Sequence, residues 1–392
     1  MKKRILETKI RDFAGKYPIV TIVGPRQSGK TTLVRDTFAN YRYVNLESLT
    51  EREYAQSDPV SFLNRFSSSY VILDEVQRVP HILSQIQVMV DEEKRNGRFI
   101  LTGSQNFALM RGITQSLAGR TALCTLLPFS IGEIADEAGS LGLSEMMWRG
   151  FYPKIHDMSL NPTDELAFYV STYLERDVRE IEKLRNLRSF SVFLRLAAGR
   201  TGQVLNVASL AADAGISPKT ASEWLSILET SFVVKLLEPW YANINKRLVK
   251  APKLYFLDVG LACYLMGVTS PEQLDVYPLR GELFETMIVG EFLKNRANRC
   301  SNEQIHYYRD SNRNEIDLVV QTGRQTILCE IKSGATFSGD WLGPMNRLSE
   351  QFGGEVSRCV VYGGNETQRR SGFDLISWRD LPDELSKIGQ GS

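Results

Sequence analysis

The chain has 392 residues, of which 43% are hydrophobic and 24% are charged, and its formal net charge is +1. This is the composition of an ordinary globular protein with two or three domains. A net charge so close to zero excludes a general attraction to nucleic acid or anionic lipid, so such binding requires a local patch. The five cysteines form no C-x-x-C pair and the three histidines are far apart, which argues against zinc, disulfide and histidine-based metal sites. The N-terminus does not resemble a secretory signal, and we expect a cytoplasmic protein with no membrane partner.

Residues 24–31 have the sequence Gly-Pro-Arg-Gln-Ser-Gly-Lys-Thr, which matches the phosphate-loop pattern G-x-x-x-x-G-K-[ST]. An apolar strand precedes the loop, and a helix start follows it with its N-terminal dipole toward the phosphates. Lys30 is placed to reach the outer phosphates and the Thr31 hydroxyl to bind Mg²⁺. The pattern therefore predicts ATP and Mg²⁺ as ligands, the alternative being a glycine-rich turn that binds nothing. The expected nucleotide-binding residues of the loop are Gly24, Pro25, Arg26, Gln27, Ser28, Gly29, Lys30, Thr31 and Thr32.

Residues 1–155 alternate apolar runs with helical segments, which predicts a parallel sheet covered on both faces. The expected strands are 18–23, 42–46, 70–74, 98–103 and 121–127. The third strand ends in Asp74 and Glu75; Asp74 would hold Mg²⁺ and Glu75 would polarise the attacking water, unless both are a solvated strand end. The fourth strand ends in Ser104 and Gln105, which either orient water near the γ-phosphate or cap the next helix.

Arg120 lies directly before the fifth strand. The segments GPRQSGKTTL, VILDEVQ, LTGSQ, SLAGR and LPFS together resemble the AAA-type ATPases related to the STAND class. The resemblance implies that Arg120 acts in trans on a neighbouring subunit's nucleotide within a homo-oligomer; a structural salt bridge is the alternative. It also suggests Arg176 or Arg179 as the second sensor of this family.

The middle of the chain predicts a helix-turn-helix over residues 206–225, followed by strands at 232–237 and 253–257. This arrangement resembles a winged helix, which implies DNA binding; a lid packed on the ATPase is the alternative. The second helix has few side chains suited to base contacts, so we expect salt-sensitive contacts to DNA phosphates instead. The cations available between the two strands are Lys246, Arg247, Lys250 and Lys253.

The C-terminal part contains two runs, 314–321 and 326–332, that flank Gly323-Arg324 and predict a β-hairpin with a two-residue turn. Side chains alternate along both strands, so one face of the hairpin carries only apolar residues and must be buried. These residues are Ile316, Leu318, Val320, Ile327, Cys329 and Ile331.

The other face of the hairpin carries charges. Antiparallel pairing places Asp317 opposite Glu330 and Glu315 opposite Lys332. Adjacent carboxylates repel each other unless a cation or protons intervene, and a divalent metal on Asp317 and Glu330 would relieve the repulsion. Lys332 would then stabilise charge at a scissile phosphate or help to activate water, and an amphipathic helix over 281–293 would bring Glu285 to the same centre.

A helix glutamate followed by an aspartate and Glu-x-Lys on neighbouring strands resembles the restriction-endonuclease-like PD-(D/E)xK fold, with Ile316 in place of the usual proline. Such a domain is also characteristic of the C-terminus of the ATPase family named above. The resemblance implies Mg²⁺-dependent DNA cleavage or, alternatively, an inherited nuclease fold that serves as a binding or assembly module.

We therefore expect an α/β protein with three parts: an AAA-type P-loop ATPase domain over 1–155, a helical lid and winged helix over 156–275, and a nuclease-like domain over 276–385. The leading functional hypothesis is an ATPase that acts on DNA, with metal-dependent cleavage at the C-terminal site. The alternatives are a motor that remodels branched DNA without cutting it, and a nucleotide-gated switch whose nuclease-like domain is inactive.

Overall fold

The computed structural model describes residues 2–104, 115–174, 187–241, 251–310, 314–323 and 325–388. The chain forms two compact units. The first comprises the residues up to Pro128 together with Thr230–Phe232 and Ala297–Ser301, and the second comprises the remainder from Phe129 onward. No helix within the described ranges is long and apolar enough to cross a membrane.

The first unit is built on a five-stranded, all-parallel sheet with the order β2-β3-β4-β1-β5. Its strands are β1 (Ile19–Gly24), β2 (Arg42–Asn45), β3 (Val71–Asp74), β4 (Phe99–Ser104) and β5 (Thr121–Thr125). Its helices are α1 (Leu6–Ala14), α2 (Lys30–Thr37), α3 (Leu49–Ser57), α4 (Pro59–Asn64) and α5 (Ile82–Glu93), with a 3₁₀ turn at Val76–Arg78. All five predicted strands are present, shifted by at most two residues at their ends.

Alternation along β1 explains why this sheet is covered on both faces. Ile19 and Val23 pack into one apolar cluster, with Phe62 and the other side chains of that face. Val20 and Ile22 pack into a second cluster on the opposite face. The predicted α/β architecture of the N-terminal part is confirmed.

The second unit contains two sheets and most of the helices. Its helices are α6 (Ala135–Ala138), α7 (Leu143–Arg149), α8 (Pro153–Asp157), α9 (Pro162–Tyr169), α10 (Leu187–Ala198), α11 (Val207–Asp213), α12 (Pro218–Thr230), α13 (Val259–Leu265), α14 (Pro271–Asp275), α15 (Arg280–Arg299), α16 (Gly343–Leu348) and α17 (Leu381–Lys387). Short 3₁₀ helices cover Ile131–Ile134, Gly339–Leu342 and Ser349–Gln351, and a π-helical turn covers Val170–Leu174.

The smaller sheet has three antiparallel strands in the order β6-β8-β7, so β8 is central. The strands are β6 (Gln203–Val204), β7 (Val234–Leu237) and β8 (Lys253–Phe256). The predicted helix pair is present as α11 and α12. Gly215 lies between them with φ of +66°, a left-handed conformation that favours glycine.

The larger sheet is mixed, with the order β13-β14-β12-β11-β10-β9. Its strands are β9 (Gln304–Arg309), β10 (Glu315–Gln321), β11 (Gln325–Lys332), β12 (Glu355–Tyr362), β13 (Gln368–Arg370) and β14 (Phe373–Ser377). Strands β10 and β11 pair antiparallel with Leu318 opposite Cys329 and Gln321 opposite Thr326, which is the predicted hairpin register. The six residues of the predicted apolar face are all buried. Val319 and Leu328 are buried as well, so apolar side chains lie on both faces of the hairpin.

A close approach between two glycines joins α7 to α13. A Cβ atom added at Gly260 would lie 2.7 Å from both Cα and N of Gly150. Asp258 secures the same contact, because its carboxylate accepts hydrogen bonds from the backbone N–H groups of Phe151 (2.7 Å) and Leu261 (2.8 Å). No side chain larger than hydrogen fits at either glycine without moving the backbone.

Candidate functional site

The phosphate loop connects β1 to α2 and is shaped by left-handed backbone at Gln27 (φ +60°) and Gly29 (φ +88°). The Lys30 ammonium donates hydrogen bonds to the carbonyl oxygens of Gly24 (3.1 Å) and Pro25 (2.7 Å). The Ser28 hydroxyl donates to the same Pro25 oxygen at 3.0 Å. The loop is thus curled around Lys30, which lies where a phosphate group in the loop would meet it.

Arg4 supports the loop from outside. Its guanidinium donates to the carbonyl oxygens of Ser28 (2.7 Å) and Leu127 (2.6 Å). This buried arginine ties the segment before α1 to the loop, and it lies in no motif by which it could have been identified.

Asp74 lies at the end of β3 and is buried. Its Oδ2 accepts hydrogen bonds from the hydroxyls of Thr31 (2.9 Å) and Tyr43 (2.7 Å), and its Oδ1 accepts one from Thr102. The structure therefore brings together the two residues predicted to hold Mg²⁺, Thr31 and Asp74. Burial, followed by the hydrogen bond to Asp74, raises the pKa of Tyr43. Sequence analysis missed Tyr43 and Thr102, because their contacts depend on the order of β2, β3 and β4 in the sheet.

Glu75 follows Asp74 with φ of +59°, in left-handed backbone that is rare for a glutamate. Its carboxylate accepts a hydrogen bond from the Gln77 side-chain amide, which also donates to the Ser104 hydroxyl at 2.9 Å. Strand β4 lies beside β1, with Ser104 level with Gly24 of the phosphate loop. Gln77 thus links two of the predicted site residues, Glu75 and Ser104; Gln105 lies outside the described residues.

A cavity of about 420 Å³ opens beside α2, on the side of Thr31 and Thr32. Tyr41 and Tyr43 also line it, and the Arg35 guanidinium lies 4.9 Å from the centre of the Tyr43 ring. Around the loop, the donors of Lys30, the Thr31 hydroxyl and the Asp74 carboxylate match the chemistry of a triphosphate with Mg²⁺, so these residues fit the predicted ligands.

Arg120 pairs with Asp91 of α5 through two short contacts, Nε to Oδ1 at 2.6 Å and Nη2 to Oδ2 at 2.8 Å. This is the salt bridge that sequence analysis gave as the alternative to an arginine finger. The pair is partly exposed, so the guanidinium remains within reach of a partner molecule. Arg176 and Arg179 lie outside the described residues.

In the second unit, Glu285 of α15, Asp317 of β10 and Glu330 and Lys332 of β11 come together as expected. The Lys332 ammonium lies 2.6 Å from Glu330 Oε1 and 3.5 Å from Asp317 Oδ2. Asp317 Oδ2 also accepts the backbone N–H of Ile331 at 2.8 Å. We call the four carboxylates Glu285, Glu315, Asp317 and Glu330 the carboxylate centre.

Lys253 corrects the prediction for the middle region. It was expected among cations that face DNA phosphates, but its side chain is only 3% exposed and its ammonium lies inside the carboxylate centre. The ammonium is 2.9 Å from Glu285 Oε1, 2.5 Å from Glu315 Oε1 and 3.9 Å from Asp317 Oδ1. Glu315, expected opposite Lys332, instead pairs with Lys253. Lys246, Arg247 and Lys250 lie outside the described residues.

Burial and mutual repulsion disturb the ionisation of the centre. Burial, and then the negative charge of Asp317, raise the pKa of Glu285 to about 7 against the opposing effect of Lys253. The same two causes raise the pKa of Glu330 to about 8, opposed by Lys332. Burial tends to lower the pKa of Lys253, but the surrounding carboxylates outweigh it and raise that pKa. Burial likewise tends to lower the pKa of Lys332, but Asp317 and Glu330 raise it, so both lysines stay charged at neutral pH.

The fit of a divalent metal to this centre can be tested from its donors. Among the described residues, no group of three or more histidine, cysteine, aspartate or glutamate side chains is arranged to hold a metal ion. Within the centre, the buried Glu330 Oε2 has no hydrogen-bond partner among the residues that the structure describes. Glu285 Oε1 accepts hydrogen bonds from the Lys253 ammonium and the Tyr255 hydroxyl, and Glu330 Oε1 accepts one from the Lys332 ammonium. The centre is thus arranged around ammonium groups, and it does not fit the metal predicted at Asp317 and Glu330.

Comparison with known proteins agrees with the character of the first unit. Residues 16–135 match the family described as "AAA domain". Residues 140–272 and 280–381 match two families described as domains of unknown function, DUF8612 and DUF4143. The match over 16–135 includes the whole phosphate loop, Asp74 and Arg120. The chain therefore carries a P-loop ATPase domain of the AAA type.

Two curated relatives align over most of the chain. "Uncharacterized protein Mb2031c" of Mycobacterium bovis and "Uncharacterized protein Rv2008c" of Mycobacterium tuberculosis are each 28% identical over 341 residues, covering 86% of this chain and 75% of theirs.

Two solved structures show a weak similarity to this chain. The Walker-type ATPase PABY2304 of Pyrococcus abyssi has a TM-score of 0.41 at 14% identity and covers 66% of this chain and 94% of its own. AMPPCP-bound DnaA from Aquifex aeolicus has a TM-score of 0.30 at 15% identity and covers 57% and 86%.

Proposed function

We propose that this chain hydrolyses ATP with Mg²⁺ in its first unit and uses the nucleotide state to act on DNA. The observation that supports ATP hydrolysis best is the 2.9 Å contact between the Thr31 hydroxyl and Asp74. It connects the phosphate loop after β1 to the acidic end of β3, with Glu75 next in the chain. A glycine-rich turn without a ligand would not require a buried acid at that point.

Each residue then has a defined task. The N–H groups of the loop and the Lys30 ammonium bind the β- and γ-phosphates, for which Lys30 exchanges the Gly24 and Pro25 carbonyls for phosphate oxygens. Thr31 and Asp74 would hold Mg²⁺, which when bound neutralises charge on the phosphates. Glu75 accepts a hydrogen bond from the attacking water and orients it, once its carboxylate turns from Gln77 toward the phosphate.

ATP turnover by the full chain tests this assignment. Lys30→Ala and Glu75→Gln should each lower kcat by about a hundredfold or more, because each removes a group that acts in the transition state. Lys16→Ala is a matched control, since Lys16 is an exposed lysine that pairs with Asp12 at the end of α1. Hydrolysis that survives Lys30→Ala would show that the loop is not the catalytic site.

We further propose that the ATPase works as a homo-oligomer in which Arg120 reaches the neighbouring subunit's nucleotide. Each of the Lys30→Ala and Arg120→Ala proteins alone should then be inactive, whereas a mixture should recover activity, since some interfaces combine an intact loop with an intact arginine. Asp91→Ala breaks the observed salt bridge and should leave turnover largely intact. A mixture that stays inactive, or equal losses in Asp91→Ala and Arg120→Ala, would favour a purely structural ion pair.

DNA is the proposed partner because helices α11 and α12, followed by the antiparallel pair β7 and β8, follow the order of a winged helix. The location of Lys253 leaves Lys246, Arg247 and Lys250 as the candidate phosphate contacts. Replacing all three by alanine should reduce the slope of log Kobs against log[salt] by about 2 to 3, at about 0.9 per phosphate contact. Lys219→Ala, at the start of α12, is the control for a single exposed cation. An unchanged slope would remove the reason to place DNA there.

Metal-dependent DNA cleavage by the C-terminal part is the competing candidate function. Its support is the convergence of Asp317, Glu330 and Lys332 and the buried Glu330 Oε2, but a metal ion would have to displace the ammonium groups that now bind the carboxylates. This candidate function predicts that Mg²⁺ or Mn²⁺ supports cutting of linear, single-stranded, flapped or four-way DNA, with or without ATP, and that Asp317→Ala abolishes it. No cleavage on any of these substrates would favour a remodelling motor or a nucleotide-gated switch.

A further inference from the structure

Lys253 reaches the carboxylate centre from outside the hairpin that carries most of its acids. It belongs to β8, the central strand of the three-stranded sheet, while Glu315, Asp317 and Glu330 belong to β10 and β11. Its ammonium nevertheless lies within 4 Å of three of the four carboxylates. The cation of this centre is therefore supplied by a different part of the chain.

The strand leaves Lys253 little freedom to move. β8 is paired on one side with β6, where Lys253 lies opposite Val204, and on the other with β7, where it lies opposite Leu237. Its ammonium also lies 5.5 Å from the centre of the Tyr307 ring. A buried side chain anchored in a central strand cannot swing into water as a surface lysine does.

Tyr255 reinforces this arrangement. Two residues beyond Lys253 on the same strand, it lies on the same face, because side chains alternate along a strand. Its hydroxyl and the Lys253 ammonium both bond to Glu285 Oε1. Strand β8 thus supplies two hydrogen-bond donors to a single oxygen of Glu285.

Lys253 occupies the position that a divalent ion shared by Glu285 and Asp317 would need. Between Asp317 and Glu330, the pair predicted to hold the metal, the Lys332 ammonium lies 3.5 Å and 2.6 Å from the two carboxylates. An ion shared by Glu285 and Asp317 would lie about 2.0 to 2.6 Å from an oxygen of each. Lys253 already lies 2.9 Å and 3.9 Å from those carboxylates, so the ion and the ammonium would be close neighbours of like charge in a buried site. Such a juxtaposition is strongly unfavourable where water does not screen it.

We propose that Lys253 is the permanent internal cation of the carboxylate centre, taking the place of a metal ion, so that the C-terminal part does not cut DNA. The centre then ties β8 to α15, β10 and β11 by ion pairs. This proposal does not depend on ATP hydrolysis. ATP turnover by the wild-type protein tests the ATPase assignment and Mn²⁺ binding tests this proposal, so failure of one is distinguishable from failure of the other.

Manganese binding to the full chain tests the proposal. Mn²⁺ is titrated without nucleotide into protein carrying Asp74→Asn, so that the phosphate loop contributes no acidic ligand, and free Mn²⁺ is followed by electron paramagnetic resonance. We expect no specific site with Lys253 present. Lys253→Met should create a specific site, because it removes the neighbouring like charge. Its dissociation constant for Mn²⁺ should be at least about tenfold lower than that of any weak binding seen with Lys253 present. Adding Asp317→Asn to that variant should abolish the new site.

Lys235→Met is the matched control. Lys235 lies on the adjacent strand β7 opposite Tyr255 and is ion-paired with Glu229 at 2.5 Å, so the variant also breaks a lysine–glutamate pair. It should gain no Mn²⁺ site. A folded Lys253→Met protein that binds no Mn²⁺ would overturn the assignment.

A second comparison decides the matter if Lys253→Met fails to fold. Two proteins are compared, both with Lys253 intact and both carrying Asp74→Asn; the second also carries Glu330→Gln. Mn²⁺ binding and DNA cleavage are measured for each. Equal, weak binding and no cleavage support the proposal. A Mn²⁺ site that Glu330→Gln removes, or Mn²⁺-dependent cleavage that Asp317→Asn removes, would show that the centre holds a metal beside Lys253.

Discussion

Replacing Glu330 by glutamine should change how stability depends on pH. Glu330 is buried, and its pKa is raised to about 8 from an ordinary value of 4.5. Between these values the folded protein holds a proton that the unfolded chain has lost. This group therefore makes the wild type less stable as pH rises through that window, and below pH 4.5 it has no effect. Glu330→Gln keeps the shape of the side chain and removes its titration.

The size of the effect follows from the shift. One proton bound only in the folded state gives a slope of about −1.4 kcal/mol per pH unit. From pH 5 to 7.5, the free energy of unfolding of Glu330→Gln should therefore gain about 3 kcal/mol relative to the wild type. The five tryptophans, Trp148, Trp224, Trp240, Trp341 and Trp378, all belong to the second unit. Urea unfolding followed by tryptophan fluorescence thus reports on the unit that contains Glu330.

The control is Glu355→Gln, which removes an exposed carboxylate at the start of β12 in the same sheet. Its curve of stability against pH should run parallel to that of the wild type. If Glu330→Gln also ran parallel, Glu330 would be ionised throughout the range, and the ionisation that we assign to the carboxylate centre would be wrong.

Two further predictions concern other parts of the molecule. Tyr43→Phe removes a hydrogen bond to Asp74 and should weaken Mg²⁺ binding by about 1 kcal/mol. The Mg²⁺ concentration that gives half-maximal ATP turnover should then rise by roughly fivefold. An unchanged Mg²⁺ dependence would contradict a role for Tyr43 in positioning Asp74. Gly260→Ala forces a methyl group against the backbone of Gly150 and should lower the free energy of unfolding of the second unit by about 1 to 3 kcal/mol, measured in urea. The control is Gly281→Ala in α15, where no atom lies within 4 Å of the new methyl group. This control should be neutral or slightly stabilising. Equal stability of the two glycine variants would show that the α7–α13 contact is loose.

The phosphate loop and the strands of the first unit could be predicted because their signals are local. A strand, an eight-residue loop pattern and a helix start adjoin one another in the sequence, and apolar runs identify buried parallel strands without knowledge of their neighbours. The hairpin register was predictable for the same reason, since a two-residue turn fixes which residues of β10 and β11 face each other.

The contacts of Tyr43, Thr102 and Lys253 could not be predicted in this way, because each depends on which strands lie side by side. Lys253 gave one usable signal. In Lys-Leu-Tyr-Phe, alternation places Lys253 and Tyr255 on one face and two apolar residues on the other, a pattern that fits a strand covered on both sides. The cations that precede it in the sequence suggested instead that Lys253 faces DNA phosphates, and the sequence contains nothing that decides between a buried and a phosphate-facing lysine.

The origin of Lys253 limits how the C-terminal part can be exchanged between proteins. The segment that matches a separate family, residues 280–381, contains all four acids of the carboxylate centre but not the lysine that balances them. A fragment cut at that boundary would keep Lys332 and Arg309 but lose the ammonium that contacts Glu285, Glu315 and Asp317, so these carboxylates would have to take up protons or another cation. Recombination that moves this segment into a new chain must therefore carry β8 with it or supply another cation.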